Sequence, residues 1–399
     1  MRTLVINTYG GSLLLGAHAL GCNVLASLED SAFGLGIQQA NFPHLNYYPV
    51  RRSWPKKWNL SETVVVAHPP CSAFSVQNCS PGARGVNSAA FACTRDVLQY
   101  AMSNNALAVA VESVMGALAG AWPIHQHFAD THGYHLYRIL QNGAMFSPQW
   151  RERFWVVYIR KGVAPELMTW RLVPRWQKVK DVITGHEDGP SPGNIDRLLA
   201  DQKRRLVEET GLTDAEMSYL FDPQDPHHPT SALGTILWKT KFRDQPKWEI
   251  FKKHIGGFAS GTMCFIDPNG LAPVLMGGSH WYANGRNLSE TAYKRIAGFP
   301  AEYIFPSTPR NYRSQMRMYL SKGVIPAVAT WILENVFHHL GMLPADLRQV
   351  ETTTPPYTIH VRPNYIADFR PHKRQLDAPR PPLRHEEEEF SAEELGVVA

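Results

Sequence analysis

A chain of 399 residues, 44% hydrophobic and 11% aromatic, can bury a large core and accommodates two or three structural units. Its formal charge of +5 permits an anionic partner without demanding one, and no run approaches the ~20 apolar residues of a membrane span. The five cysteines (Cys22, Cys71, Cys79, Cys93, Cys264) are irregularly spaced, which argues against a disulfide framework or a structural zinc site and for a reducing compartment.

Residues 1–160 alternate short β-rich runs with helix-like stretches, the pattern of a doubly wound, mostly parallel α/β sheet. Strands are predicted at Thr3–Asn7, Cys22–Leu28, Thr63–Ala67, Ala106–Ala110, Tyr134–Leu140 and Arg153–Ile159, and helices at Leu13–Leu20, Ser31–Ala40, Ala89–Ser103 and Trp122–Thr131. The opening residues lead straight into the first strand, with no charged region and apolar stretch of a secretory signal. Gly10-Gly11 falls between the first strand and first helix, where such folds bind a nucleotide cofactor.

Pro69-Pro70-Cys71-Ser72-Ala73-Phe74-Ser75 follows the β-branched run Thr63–Ala67. The prolines must end that strand, so Cys71 is predicted on a loop at its carboxyl end, the edge where open α/β sheets bind ligands. A cysteine there is a candidate nucleophile; elsewhere a free cysteine is usually a small buried hydrophobe.

From 161 to 285 the pattern becomes irregular, with the amphipathic stretch Asn194–Glu209, the Pro- and His-rich Pro223–Pro229, and a basic, aromatic segment holding Trp238, Lys239, Lys241, Arg243, Lys247, Trp248, Lys252 and Lys253. A local basic patch speaks for a phosphate-bearing partner more than the total charge does. Order resumes at 286–341 with two predicted helices, about Ser289–Ala297 and Ile325–Leu340. The remainder, 342–399, contains Pro355-Pro356, Pro381-Pro382 and Glu386–Glu389, and reads as a largely disordered or extended tail.

Six segments, in order, resemble the DNA cytosine-5 methyltransferase family: Pro70-Cys71 with Phe74-Ser75; Val111-Glu112-Ser113-Val114; Pro148-Gln149-Trp150-Arg151-Glu152-Arg153; Arg286–Ser289; Arg295–Pro300; and Ser321-Lys322-Gly323-Val324-Ile325-Pro326. The chain departs from the family pattern at Ser72, where a glutamine is usual, and at Ser113, where an asparagine is usual. The resemblance implies the fold of S-adenosylmethionine-dependent methyltransferases, with 1–160 and 286–341 as the catalytic domain and 161–285 as a smaller inserted target-recognition domain.

It also implies roles. Cys71 adds to C6 of a flipped cytosine, turning C5 into an enamine carbon. Glu112 acts as general acid at N3, and Arg151 and Arg153 bind the base oxygen and a neighbouring phosphate. Ser75, Gln149, Lys239, Lys241 and Arg243 are expected to meet DNA. S-adenosylmethionine is expected against Tyr9, Gly10, Gly11, Ser12, Glu29, Asp30, Pro70, Lys322 and Val324, with Glu29 on the ribose. The family's phenylalanine falls on Asn7, its first glycine on Tyr9 and another on Ser12, and the position that meets the adenine amine reads Pro49-Val50-Arg51.

Lys322 replaces a family asparagine near the cofactor's reactive end. An ammonium there repels a sulfonium but pairs with a carboxylate. Carboxy-S-adenosylmethionine, leaving a carboxymethyl group on C5, is therefore an alternative to methyl transfer; a solvent-directed lysine is the simpler reading. A catalytically inactive DNA-binding relative is a further alternative, as is RNA in place of DNA. The expected protein is a monomer acting on double-stranded DNA, off the membrane, without metal, in the cytoplasm of a bacterial or phage-infected cell. The altered motifs and extra tail fit a phage or mobile-element origin.

Overall fold

The computed structural model describes residues 1–48, 54–55, 58–75, 83–183, 185, 204, 208, 263–266, 268–275, 280–283, 286–307, 312–343 and 357–371. Lys239, Lys241 and Arg243, with most of the expected recognition segment, lie outside the described residues, as do residues 49–51 and the glutamate run. The chain forms two compact units: Met1–Phe146 with Glu152–Arg175 and Gly323–Ala399, and Ser147–Arg151 with Trp176–Lys322.

The first unit is built on strands β1 (Arg2–Ile6), β2 (Asn23–Leu28), β3 (Tyr47–Tyr48), β4 (Thr63–Ala67), β5 (Ala108–Ser113), β6 (Tyr134–Asn142), β7 (Glu152–Arg160) and β13 (Ile366–Phe369). They form one eight-stranded sheet in the order β13-β6-β7-β5-β4-β1-β2-β3. β7 runs antiparallel to both its neighbours, and the other pairings are parallel. The two faces are covered, so β4 reads as an unbroken apolar run and all five of its residues are buried.

Crossovers are made by helices α1 (Ser12–Ala19), α2 (Ala32–Asn41), α3 (Ala89–Ser103), α4 (Ala117–Gly120) and α5 (Trp122–His132). Ser31 and Ser88 cap α2 and α3 by accepting hydrogen bonds from the amides of Gly34 and Phe91. α5 begins with proline in its first turn and stops at Gly133, whose φ of 74° lies in the left-handed region.

The carboxyl-terminal helix of this unit, Pro326–His339, lies against α1 so closely that a Cβ on Gly16 would meet the Ala329 Cβ at 2.6 Å and the Thr330 amide nitrogen at 2.8 Å. A second pair of strands, β8 (Met168–Leu172) and β12 (Tyr357–Val361), runs antiparallel. The Arg171 amide donates to Asn335 Oδ1 at 2.7 Å, and the Arg171 carbonyl accepts from Trp331 Nε1 at 2.6 Å and Asn335 Nδ2 at 3.1 Å.

One expectation needs correction, and one segment takes a definite form in part. The strand predicted at Ala106–Ala110 begins later and continues to Ser113, so Glu112 lies within it rather than after it; the ladder with β7 pairs Glu112 with Trp155 and Ser113 with Phe154. The segment after 342, read as largely disordered or extended, supplies two ordered strands, and Ile366–Phe369 forms the edge of the main sheet. There Ala367 and Phe369 are buried at alternate positions.

In the second unit, β9 (Met263–Phe265) runs parallel to β10 (His280–Ala283), which pairs antiparallel with β11 (Arg286–Asn287). Among the described residues they are accompanied by helices α6 (Val179–Ile183), α7 (Glu290–Ile296, capped by Ser289) and α8 (Tyr312–Lys322). Tyr293 stacks on Trp281 at 5.3 Å between ring centroids, and its hydroxyl accepts the Trp281 amide hydrogen at 2.6 Å. The helix over Tyr312–Lys322 was absent from the sequence-based expectations.

Candidate active site

The carboxyl ends of β1, β2, β4 and β5 share one edge because these strands are parallel, and the antiparallel β7 begins at that same edge. The register aligns Ile6 with Ala67, Ala67 with Val111, and Ser113 with Phe154. The residues next along each chain are thereby brought together: Asn7 to Tyr9, His68 to Cys71, Glu112 and Arg153.

Cys71 opens a short 3-10 turn, Cys71–Ala73, directly after Pro70. The turn is fastened by the Gly85 amide donating to the Ala73 carbonyl at 2.9 Å and by Phe74, whose ring meets Phe91 edge-on at 5.4 Å. Gly116 makes room for this loop: a Cβ there would lie 2.5 Å from the Phe74 carbonyl oxygen.

Glu112 is 1% exposed and held from two sides. Its Oε1 is 3.0 Å from Arg153 Nε, and its Oε2 is 2.9 Å from Nε2 of His68, which is also 1% exposed. His68 also interacts electrostatically with Cys71. Burial disfavours the charged imidazolium, but the Glu112 carboxylate and the Cys71 sulfur outweigh it and raise His68 to about 9. Burial pushes the Cys71 thiol up, while the hydrogen bond and charge of His68, aided by Arg153, bring it below its ordinary value.

The site thus unites Cys71, Glu112 and Arg153, as expected from the sequence, with His68, which was not expected. His68 was legible only as a histidine three residues before the cysteine. Arg151 lies elsewhere in the chain's contacts. It is 3% exposed, belongs to the second unit, and donates through Nη1 to the Ser321 carbonyl at 2.7 Å. Gln149 is 1% exposed and its backbone bridges to Ala272, which supports a structural part in the 147–151 loop. Ser75 is half-buried at the end of the Cys71 turn, Val324 is buried, and Lys322 is exposed at the last residue of α8.

The expected cofactor loop is sharply turned, with Asn7, Tyr9 and Gly11 at φ of 52°, 51° and 81°. Glu29 faces inward, 1% exposed; its carboxylate accepts the Tyr9 amide at 2.8 Å, the Ser31 amide at 3.0 Å and Gln38 Nε2 at 3.1 Å. Burial, against these hydrogen bonds, raises its pKa to about 7. Glu29 therefore braces the loop. The half-exposed Tyr9 ring meets His68 edge-on at 5.2 Å, and Asp30 is exposed. Ser12 Oγ, at the start of α1, is buried without a hydrogen-bond partner among the described residues. A buried hydroxyl left over beside the expected cofactor turn fits a polar ligand such as S-adenosylmethionine.

Sheet order, the antiparallel β7 and a cysteine–glutamate–arginine cluster at the carboxyl edge define an α/β fold of the methyltransferase type. The crystal structure of a prophage-encoded protein (E. coli) assigned as a DNA modification methyltransferase matches with a TM-score of 0.54 at 15% identity, covering 86% of this chain and 99% of that one. A Spodoptera frugiperda DNMT2 mutant matches at 0.53 and 12% identity, covering 84% and 99%, and S. pombe Dnmt2 methyltransferase at 0.53 and 11%, covering 86% and 99%. No curated protein matches the sequence.

The family model for C-5 cytosine-specific DNA methylase matches residues 2–338, and the chain belongs to that family. It is accordingly a DNA cytosine methyltransferase by family, with DNA as substrate and S-adenosylmethionine as the methyl donor that membership implies. No helix among the described residues is long and apolar enough to cross a membrane.

Proposed function

We propose that Cys71 is the nucleophile of a DNA cytosine-5 methyl transfer in which Glu112 protonates and selects the base. The observation that carries this reading is the convergence of Cys71, Glu112 and Arg153 on one sheet edge, with Arg153 3.0 Å from the carboxylate.

C6 of a stacked cytosine is out of reach, so the base is flipped at a cost of a few kcal/mol. The Cys71 sulfur then forms a bond to C6, the C5=C6 π pair shifts towards C4 and N3, and N3 takes a proton from Glu112. Arg153 fixes the orientation of Glu112 and offers positive charge to the electron density that builds on the base. S-adenosylmethionine, when bound, supplies the electrophilic methyl group for C5. Solvent takes the C5 proton, N3 returns its proton to Glu112, and the Cys71–C6 bond breaks with sulfur leaving as thiolate, which restores the aromatic ring.

Arg151, buried against Ser321, serves by shaping the loop that precedes Arg153. The recognition role falls to 161–285, with Lys239, Lys241 and Arg243 supplying phosphate contacts. The exposure of Lys322 supports a solvent-directed lysine and methyl as the group transferred, over carboxymethyl. One observation favours the binding-only alternative: Glu29 is already engaged by Tyr9, Ser31 and Gln38.

The test is to incubate the full chain with cytosine-containing duplex DNA and S-adenosylmethionine, or its carboxy analogue, and weigh the released nucleosides. 5-Methylcytosine from S-adenosylmethionine is expected. Carboxymethylcytosine alone would transfer the case to Lys322, and DNA binding with no modified base under either donor would favour the inactive relative.

A further inference from the structure

We propose that His68 is the base that takes the proton of the Cys71 thiol, so that the nucleophile stands in the resting protein as a thiolate beside an imidazolium. This rests on the cytosine-C5 reading above and adds a residue to it that no motif of that reading contains.

Geometry carries the argument. His68 follows directly on the buried strand β4, where its backbone is held by its amide donating to the Ile6 carbonyl at 3.1 Å. Its Nε2 lies 2.9 Å from Glu112 Oε2, and Cys71, three residues on at the same sheet edge, interacts with the same ring. Both His68 and Glu112 are 1% exposed, so water screens their interaction little. The groups facing the ring are Glu112 from β5, Cys71 from the following turn and the Tyr9 ring from the loop after β1, while Arg153 acts on Cys71 from β7. A negative neighbour on each side favours the protonated ring.

His125 provides an internal contrast. It is equally enclosed, at 2% exposure, but among the described residues its Nδ1 meets the Tyr158 hydroxyl, at 2.5 Å, in a setting of aromatic rings. Burial lowers its pKa to about 4. Burial is common to the two histidines. The flanking Glu112 and Cys71 are what distinguish His68.

The proton balance closes within this cluster. The Cys71 S–H bond breaks and its proton goes to the His68 ring, leaving a thiolate. As sulfur bonds to C6, the imidazolium gives its proton to the Glu112 carboxylate across the 2.9 Å contact, and Glu112 passes it to N3. The thiol proton thus ends on cytosine N3, His68 is left neutral and Glu112 is again a carboxylate. On product release the proton returns by the same route.

The experiment measures the rate of iodoacetamide alkylation of Cys71 against pH in the full-length protein, read on the Cys71 peptide by mass spectrometry, for the wild type and His68→Gln. The wild-type midpoint is expected well below the ordinary thiol value of about 8.5, and His68→Gln should move it up and slow alkylation at pH 6.5 at least ~10-fold. A wild-type midpoint at or above about 8.5 overturns the proposal whether or not the variant folds. An unshifted midpoint in a folded His68→Gln protein, verified by its circular dichroism, also overturns it. The assay uses no DNA. A low, His68-dependent midpoint in a protein that forms no adduct with cytosine DNA would therefore uphold the ion pair and count against the cytosine chemistry alone.

Discussion

Arg153 Nε stands 3.0 Å from Glu112 Oε1, while His68 Nε2 stands 2.9 Å from the other oxygen, so one buried carboxylate is clamped between two cationic partners. Removing either clamp leaves Glu112 charged and under-paired in a site from which water is largely absent.

Arg153→Ala is accordingly expected to cost about 3 kcal/mol of stability and to lower methyl transfer by at least ~100-fold, because the lost guanidinium leaves a buried charge uncompensated and the general acid unaligned. Thermal melts and initial rates on DNA check the two effects separately. Arg153→Lys should restore part of the stability without restoring the rate, since the ammonium lacks the planar fork.

Gly16 allows α1 and the Pro326–His339 helix to touch. A Cβ there would lie 2.6 Å from the Ala329 Cβ and 2.8 Å from a backbone nitrogen. Gly16→Ala should therefore destabilise by about 1–3 kcal/mol despite the better helix propensity of alanine. Urea unfolding would show a lower midpoint with an unchanged slope. A neutral result would mean that the two helices are free to separate.

Gly116 is coupled to the nucleophile rather than to the core. Gly116→Ala brings a Cβ within 2.5 Å of the Phe74 carbonyl and must displace the Cys71 turn or the segment before α4. A loss of transfer rate of ~100-fold is expected, the scale of a roughly 1 Å misplacement of a reacting group. Circular dichroism should stay that of the wild type.

Glu29 and His68 set a pH dependence of stability with a common sign. Glu29 rises from an ordinary 4.5 to about 7 on folding, so the folded state binds a proton more tightly than the unfolded one; stability is fully present below pH 4.5 and falls as pH rises to about 7. The 2.5-unit difference corresponds to about 3 kcal/mol. His68 rises from 6.5 to about 9, and its contribution is present below pH 6.5 and lost as pH rises through 9. Cys71, lowered from its ordinary value, contributes with the opposite sign and offsets His68 above neutrality, so melting temperature should decline chiefly between pH 4.5 and 7. His68→Gln should leave that lower decline in place.

The β/α alternation of 1–160 was legible because parallel strands covered on both faces read as apolar runs, and Cys71 stood out because prolines must end such a run. The site behind Cys71 was less legible. His68 reads locally as a loop residue. Its meaning comes from the pairing of Ala67 with Val111, which brings it to Glu112 across the sheet. Glu29 matched an expected ribose position, yet the Tyr9 amide from the turn after β1 and Gln38 from α2 both point at it, a relationship between segments that no local pattern carries.

The helix Tyr312–Lys322 escaped notice because its apolar positions, Met316, Tyr319 and Leu320, sit among arginines, serines and a glutamine. Strand Ile366–Phe369 is four residues long within a proline-rich segment. Its partner, Arg138–Gln141, lies more than 200 positions earlier in the chain, so only the folded sheet reveals it.

The central claim, that Cys71 attacks C6 of a cytosine, is tested most directly by trapping. Duplex DNA carrying 5-fluorocytosine, incubated with the protein and S-adenosylmethionine, cannot lose the C5 substituent after transfer, and the sulfur–C6 bond persists. A denaturation-resistant protein–DNA adduct mapped to the Cys71 peptide, and abolished by Cys71→Ala, is the predicted result. An adduct at another residue, or methylated DNA formed by Cys71→Ala at the wild-type rate, would contradict the account.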